Sequence, residues 1–361
     1  MKKWSNIAVL AILVSLMACT KVENGLELQE SISYSVASYV TSPTKTGELN
    51  LKDDENVTSF RSKAWVHANG AAAGEVYFNE TVSWQGNEWA PSQDYFWPKH
   101  PASYVNFVSW YDAAGVEPST VEENNLAWSV RNINANDNVL VARAAWRQNG
   151  NMLTYGNNGI SGGVPTLFRH MLTRISVNMK ASPLVDPEDN NDTYEVTLQS
   201  ARLEGVYQRG ALNLTTNDPG SKGTSTWSNA SAPYYWTSAA GSNATPIAFT
   251  AGALGTTPTS VLAERSIMPQ EITSNIRMVI VYSVTCKSDG VTTSVENDIP
   301  ATVVMNKIKN TSDVAITQWL PNTKYVYNIT INPVSQEILL NPTVESDWSS
   351  GFDTQFQVTV E

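Results

Sequence analysis

Short segments in which apolar and polar residues alternate, separated by turn-forming residues, dominate this chain. Residues 324–332 show the pattern well, with one apolar face formed by Tyr325, Tyr327, Ile329 and Ile331. Successive side chains of a β-strand point to opposite faces, so a period of two predicts a strand with one buried face. Many short strands with Gly, Pro and Asn between them are typical of β-sandwiches rather than of alternating β-α units. The predicted fold class is therefore all-β.

Further strands are predicted where β-branched and aromatic residues cluster: residues 75–84 and 88–89 (a hairpin around Gln85-Gly86-Asn87), 104–110, 278–285 and 291–295. Residues 278–285 are nearly all apolar or β-branched, which suits a buried central strand. Ser288-Asp289-Gly290 is expected to turn this strand into the next one. Helical signals are weak, and residues 164–171 and 310–319 are the two short candidates for a turn of helix.

Chain length predicts two sandwiches in tandem. The chain has 361 residues, and one sandwich takes roughly 100 to 150 residues. The loosest stretch near the middle is the Gly- and Asn-rich segment 156–163. We therefore predict an N-terminal sandwich over residues 46–163 and a C-terminal sandwich over residues 164–361.

Residues 1–18 are predicted to form a secretory signal. Lys2 and Lys3 precede an apolar stretch over residues 7–17, whereas a span across a bilayer needs about twenty residues. Leu16-Met17-Ala18-Cys19 resembles the lipobox of bacterial lipoproteins, in which the thiol is acylated and becomes the new N-terminus. The alternative is an ordinary signal that contains a Cys by chance. We expect a lipid on Cys19 and a location in the bacterial envelope.

The net charge limits the classes of binding partner, and the cysteine count limits disulfide formation. The formal net charge is -11 at pH 7, and nucleic acids and anionic lipid surfaces both require basic patches. We therefore expect no nucleic-acid partner. The only other cysteine is Cys286; with Cys19 acylated, it has no disulfide partner and is expected to be an inert buried thiol.

Residues that could carry catalysis are sparse, so we predict no enzyme activity, no cofactor and no metal. The three histidines, His67, His100 and His170, lack the spacing of a metal site, and His170 is expected to be structural. The carboxylate pairs at Glu122-Glu123 and at residues 53–55 are typical of solvated loops. Glycosidase carboxylates are defined by their distance in space, which the sequence does not give. A glycoside hydrolase therefore stays an alternative function.

Tryptophan content suggests the main alternative function. The chain has twelve tryptophans, and a sugar-stacking platform could form from Trp84, Trp89, Tyr95, Phe96 and Trp97. This would make the chain a carbohydrate-binding surface lipoprotein. Aromatic residues are also normal core and cross-strand fillers of β-proteins, and we favour that interpretation.

Two segments near the ends of the chain share one pattern. The first strand carries the apolar residues Ile32, Tyr34, Val36 and Val40, and the tail carries Phe352, Phe356, Val358 and Val360. By composition, the segment 42–55 between the first strand and the next one is an exposed, protease-sensitive loop. Cleavage at Lys45 would let the first strand leave, and a neighbour's tail could fill the vacated groove by strand addition. The alternative, favoured by composition alone, is that both strands stay in their own sheets.

Several short motifs follow one another in an order that is fairly specific: the lipobox ending at Cys19, Thr44-Lys45, Tyr95-Phe96-Trp97-Pro98, and residues 105–111, 139–142, 165–175, 267–270, 319–327 and 338–348. Together they resemble the fimbrillins of Bacteroidales, the type V pilins, and their fimbrillin-like lipoprotein relatives. Many relatives have Thr-Arg where this chain has Thr44-Lys45.

The resemblance implies two β-sandwich domains of transthyretin-like, Greek-key topology. It implies export to the outer membrane as a lipoprotein and cleavage by a trypsin-like or Arg/Lys-specific protease, which removes the lipid and the first strand. By position Lys45 fits the cleavage site, with Arg61, at the start of a predicted strand, as the runner-up. Polymerisation with other fimbrial subunits by donor-strand exchange would follow at the cell surface. An uncleaved anchor or a tip subunit stays open.

Overall fold

The structure, a computed structural model, describes residues 31–38, 51–52, 56–98, 103–146, 163–216, 223–229, 247–309, 315–335, 337–345 and 358–359. Within those ranges most of the chain is β-strand, with two short 3-10 helices at Ala68–Gly70 and Met305–Lys307. The first strands are β1 (Tyr34–Ser38), β2 (Ser59–His67), β3 (Glu75–Trp84), β4 (Trp89–Pro91), β5 (Tyr104–Asp112), β6 (Thr120–Glu122), β7 (Asn125–Asn132), β8 (Val139–Trp146) and β9 (Val164–His170).

The second half contributes β10 (Thr173–Ala181), β11 (Asp192–Glu204), β12 (Arg209–Thr215), β13 (Thr224–Asn229), β14 (Ile247–Ala248), β15 (Gly252–Leu254), β16 (Thr259–Ile267) and β17 (Gln270–Glu271). After these come β18 (Arg277–Ser288), β19 (Val291–Val304), β20 (Gln318–Trp319), β21 (Thr323–Ile331), β22 (Ile338–Glu345) and β23 (Val358–Thr359).

A closed sheet, which we call the first barrel, is built from strands in the order β1-β4-β3-β2-β5-β8-β9, and β9 returns to β1. Alternate residues of each strand point inward and fill the interior, as closure of a small sheet requires. The interior is aromatic and aliphatic, and includes Phe60, Phe78, Phe107, Leu140 and Phe168.

A four-stranded sheet in the order β13-β12-β7-β6 covers the outer face of this barrel. It combines strands from both halves of the chain, since β7 pairs with β12. Trp65, Val108 and Trp110 on the barrel share a buried cluster with Leu126 and Trp128 of the sheet.

The C-terminal part is a sandwich of two five-stranded sheets. One sheet has the order β16-β10-β21-β22-β23, and the other has the order β14-β11-β18-β19, with β15 also paired to β11. Their inner faces share one large buried cluster, to which β21 contributes Tyr325, Tyr327, Ile329 and Ile331. The predicted one-faced strand at residues 324–332 and the all-β sandwich fold class are confirmed.

Other strand predictions are also confirmed. The hairpin of β3 and β4 pairs Trp84 with Trp89 across the predicted turn. Residues 278–285 lie within β18, between β11 and β19. Only one face of β18 is buried, because its sheet is antiparallel and its other face meets solvent. Asp289 and Gly290 both have positive φ at the predicted turn.

The predicted turn of helix at residues 164–171 is wrong, since Val164–His170 forms β9 and pairs with β1 and β8. A short apolar run fits a strand and a helix equally well, and pairing with distant strands decides between them. Within the described part of 310–319, residues 315–319, the chain forms a bridge at Ala315 and then β20 rather than a helix. The domain division at residue 163 and the Greek-key topology stay predictions, and strand pairing groups β9 with the first barrel.

Candidate functional site

Strand β1 closes the first barrel, and the groove that it fills is the candidate functional site. On one side β1 runs parallel to β9, in a register from Tyr34 opposite Val164 to Ser38 opposite Phe168. On the other side it pairs with β4 at a single position, Tyr34 opposite Trp89. The closure therefore depends on a five-residue ladder on one edge and a brief contact on the other.

Backbone hydrogen bonds extend the attachment at the start of β1. The amide of Val164 donates to the carbonyl of Ser33 over 2.7 Å, and the amide of Ile32 donates to the carbonyl of Tyr95 over 2.7 Å. Gly163 makes the approach of β9 possible. Its φ is +74°, and a Cβ there would lie 2.8 Å from the carbonyl carbon of Tyr34. A side chain at this position would be strained and would collide with β1.

Two side chains of the first strand are buried in the barrel. Ile32 is 2% exposed and Tyr34 is 4% exposed. The Tyr34 ring meets Phe60 and Phe107 edge-on, with centroid distances of 5.8 and 5.7 Å. Such edge-to-face pairs add to the free energy gained by burial of the rings.

Two buried hydroxyls face the end of the Tyr34 ring. The Tyr34 hydroxyl donates to Ser62 Oγ over 3.0 Å, and Ser109 Oγ donates to the same oxygen over 2.9 Å. Both serines are fully buried. Burial raises the pKa of Tyr34 strongly because the phenolate would lose its water, while the hydrogen bond to Ser62 lowers it slightly. The groove is thus apolar with one polar spot at its floor.

Sequence analysis identified Ile32 and Tyr34 but missed the residues that form the groove. Ser62 lies two residues after Phe60, and Ser109 lies two residues after Phe107. This spacing could have placed both serines on the inward face of their strands. Phe168, whose ring meets that of Phe60 edge-on at a centroid distance of 5.0 Å, lies in the segment that was predicted as helix. The backbone of Val36 lies in β1 opposite Thr166, and Val40 lies outside the described residues.

Of the residues predicted for lipidation and cleavage, only Arg61 lies in the described part of the chain. Cys19 and Lys45 lie outside the described residues. Arg61 lies in β2, which is hydrogen-bonded to β3 on one side and to β5 on the other. Its guanidinium donates to Thr81 and to Asn79. The peptide bond after Arg61 is therefore held in the middle of the barrel wall.

Only a small part of the predicted donor segment is described. Val358 and Thr359 form β23, which pairs with Leu340 and Leu339 of β22 at the edge of the C-terminal sandwich. Phe352, Phe356 and Val360 lie outside the described residues.

The aromatic residues considered for a sugar platform do not share one exposed face. Trp89 and Trp97 are each 4% exposed and belong to the interior of the first barrel. Trp84 and Tyr95 are partly buried and pack against that interior. Phe96 is 42% exposed. In this region the rings act mainly as core.

Among the candidate acid and histidine residues, Glu123, His67 and His170 make structural contacts. Glu122 is exposed, whereas Glu123 faces the buried His67, with Oε1 2.5 Å from Nε2. Nδ1 of His170 lies 2.8 Å from Oδ1 of Asn138 in a buried contact. His100 and residues 53–55 lie outside the described residues. Cys286 in β18 is partly buried and free.

The described part of the chain contains no group of three or more His, Cys, Asp or Glu side chains arranged to hold a metal ion. None of its helices has the length and apolar character needed to cross a membrane.

The family model described as fimbrillin-like matches residues 45–348. The chain belongs to the fimbrillin-like family. The match includes the first barrel from β2 onward, the four-stranded sheet and most of the C-terminal sandwich. A search of curated protein sequences found no match.

Several solved structures are similar to this fimbrillin-like chain at low identity. A fimbrial protein from Bacteroides vulgatus is 14% identical, with a TM-score of 0.46 over 88% of this chain and 99% of that one. A fimbrial assembly protein from Parabacteroides distasonis is 9% identical, with a TM-score of 0.38 over 87% and 95%. The fimbrial anchor protein Mfa2 from Porphyromonas gingivalis is 9% identical, with a TM-score of 0.29 over 88% and 98%.

Proposed function

We propose that this fimbrillin-like chain is a structural, non-enzymatic subunit of a fimbria at the cell surface. In this proposal it is exported as a lipoprotein acylated on Cys19 and held at the outer membrane until a protease cleaves after Lys45. Cleavage frees the lipid anchor together with β1. Other fimbrial subunits then join it by strand exchange, in which a neighbour's tail over residues 352–361 enters the groove.

The way in which β1 closes the first barrel is the observation that carries the proposal. β1 pairs with β4 at one position only, while its ladder with β9 is short. Its departure would leave the edge of β9 unpaired and the pocket around Phe60 and Phe107 open. An unpaired edge beside an apolar groove is the surface to which an extended segment adds as a strand.

The energetics favour replacement of β1 over a permanently empty groove. Burial of one large apolar side chain is worth roughly 1.5 to 3 kcal/mol, and β1 with the residues just before it supplies at least Ile32 and Tyr34. Loss of both would leave an apolar surface that a strand with alternating apolar residues can cover. The tail has this pattern at Phe352, Phe356, Val358 and Val360. In the monomer its described residues pair only with the outer edge of β22, which is compatible with release.

The position of Arg61 supports cleavage at Lys45. A protease binds its substrate in an extended, accessible form, whereas Arg61 sits in an internal strand with pairing on both sides. Cleavage there would require the barrel to unfold first. Lys45 lies in the segment between β1 and β2 whose composition predicts exposure.

N-terminal sequencing of surface protein tests the proposal. We expect a wild-type N-terminus at Thr46 and, in Lys45→Ala, a blocked N-terminus at acylated Cys19 with no fibres. Lys45→Arg is the matched control and should be processed and assembled. Arg61→Ala should be processed like the wild type. Assembled fibres whose subunits keep Cys19 and β1 would refute the removal of β1.

A further inference from the structure

The pocket around Tyr34 offers a way to decide which residue of the tail enters the groove, an inference that rests on the proposed strand exchange. The pocket is formed by Phe60 and Phe107 on the sides and by Ser62 and Ser109 at the floor. It holds a six-membered ring with a hydroxyl at its end. Any strand that replaces β1 must fill this space or leave a cavity in a buried aromatic cluster, which is costly.

The tail has two candidate rings, Phe352 and Phe356. Tyr34 is followed two residues later by Val36, and the tail repeats this spacing only at Phe356, which is followed by Val358. Phe352 is followed two residues later by Thr354. With Phe356 in the pocket, a strand running in the direction of β1 brings Val358 to the position of Val36.

We propose that Phe356 of a neighbouring copy of this chain occupies the Tyr34 pocket after β1 has left, and that this position sets the register of the incoming strand. The ring of Phe356 has the size of the tyrosine ring and reaches the same neighbours. It lacks the hydroxyl, so Ser62 keeps its hydrogen bond from Ser109 and loses the one from Tyr34.

This difference has a consequence for the order of assembly. The resident strand makes one buried hydrogen bond that the tail does not make, and it is also tethered to the barrel before cleavage. Loss of one buried hydrogen bond weakens an interaction by up to about tenfold. The chain's own strand therefore outcompetes a neighbour's tail at this position until proteolysis releases it.

The test uses full-length protein that has been digested at Lys45, with the new N-terminus confirmed at Thr46. The digested protein is mixed with an excess of a labelled peptide of residues 352–361, and retained label is measured after gel filtration. We expect retention of the wild-type peptide and loss of retention for F356A. The F356Y peptide should bind about tenfold more tightly because its hydroxyl restores the bond to Ser62.

Two controls distinguish binding in one specific register from nonspecific binding of the peptide. The F352Y peptide carries the same added hydroxyl at the other ring and should bind like the wild-type peptide. In a Ser62→Ala chain, the advantage of F356Y over the wild-type peptide should disappear. The peptide comparison in the unaltered chain does not depend on how well the Ser62→Ala chain folds.

Each outcome bears on a different claim. Equal binding of wild-type, F356Y and F356A peptides would overturn the assignment of Phe356 and leave strand exchange intact. Tighter binding of F352Y instead of F356Y would assign the pocket to Phe352 and overturn the register. Retention of none of the peptides by the digested chain would overturn the tail as donor, and with it the proposed function.

Discussion

Nε2 of the buried His67 lies 2.5 Å from Oε1 of Glu123, while Nδ1 of the same ring lies 2.7 Å from the carbonyl oxygen of Ala71. The imidazole also stacks on Tyr104, with a centroid distance of 4.2 Å. Nδ2 of Asn106 donates to the same Glu123 oxygen and lies 3.2 Å from Nε2 of His67, so the three side chains form one polar cluster. The contact connects β2 of the first barrel to the turn between β6 and β7 of the four-stranded sheet.

Replacement of Glu123 by Ala is expected to destabilise the protein by about 2 kcal/mol, because the carboxylate's hydrogen bonds with the buried His67 and Asn106 are both lost. Glu122→Ala is the matched control, since Glu122 is exposed, and its effect should stay within about 0.5 kcal/mol. Denaturant unfolding measures both. Equal stability of the two variants would show that the buried contact contributes nothing.

Alkaline pH is expected to destabilise the fold through buried tyrosines. Burial raises the pKa of Tyr34 and of Tyr327 well above the usual value, whereas tyrosine in the unfolded chain ionises at about pH 10. Below that pH both states are protonated and the tyrosines contribute no pH dependence. Above it the folded state holds more protons, so the free energy of unfolding falls as pH rises.

Phenolate absorbance recorded together with near-UV circular dichroism checks this behaviour. The part of the phenolate absorbance that comes from Tyr34 and Tyr327 should appear together with the loss of circular dichroism, because these buried phenols ionise only on unfolding. Tyr34→Phe should make the decline of stability with pH shallower. Ionisation of all tyrosines before any loss of the circular dichroism signal would contradict the prediction.

Removal of residues 352–361 is expected to yield a folded, secreted monomer that does not form fibres. The tail's described contact with its own sandwich is limited to the edge of β22, so the loss of stability should be small. Electron microscopy and thermal unfolding measure the two effects. A double substitution Gln355→Ala and Gln357→Ala, on the other face of the tail, should still polymerise. Fibres formed by the truncated chain would rule out the tail as donor.

Substitutions at Trp84 and Trp89 distinguish a core role from glycan binding. Trp89→Ala should destabilise the protein by about 3 kcal/mol, as is usual when a large buried ring is removed. Trp84→Ala should cost less, because Trp84 is only partly buried. A glycan screen of the wild-type protein should give no binding. Micromolar binding that either substitution abolishes would support the carbohydrate-binding alternative.

The sequence predicted individual strands well and their neighbours poorly. Alternation identified the one-faced strand with Tyr325 and Tyr327, because a period of two reports directly on one buried face. The same rule does not tell which strands pair. The parallel pairing of Tyr34 with Val164 joins distant parts of the chain, and no local pattern in the sequence indicates it.

Only part of the candidate site was predicted from the sequence, because a local pattern does not show which strands close into a barrel. Ile32 and Tyr34 were found because they are apolar and alternate with serines. The buried hydroxyls of Ser62 and Ser109 were missed, since an isolated serine in a strand is usually solvent-facing and only the closed barrel places these two inside. The Trp-rich segment was ambiguous for the opposite reason, because exposed and buried aromatic rings give the same pattern.

The separate positions of the groove that β1 fills and of β23 in the tail determine what kind of assembly the proposed exchange can build. Each copy has one acceptor groove and one tail, at different places on its surface, so a joint between two copies uses unlike faces. Where the rotation between successive copies does not close a ring, such head-to-tail joints extend into a polar filament. Growth at either end then stops only at a subunit that lacks a free groove or a free tail, and a copy that still retains its own β1 is one such terminator.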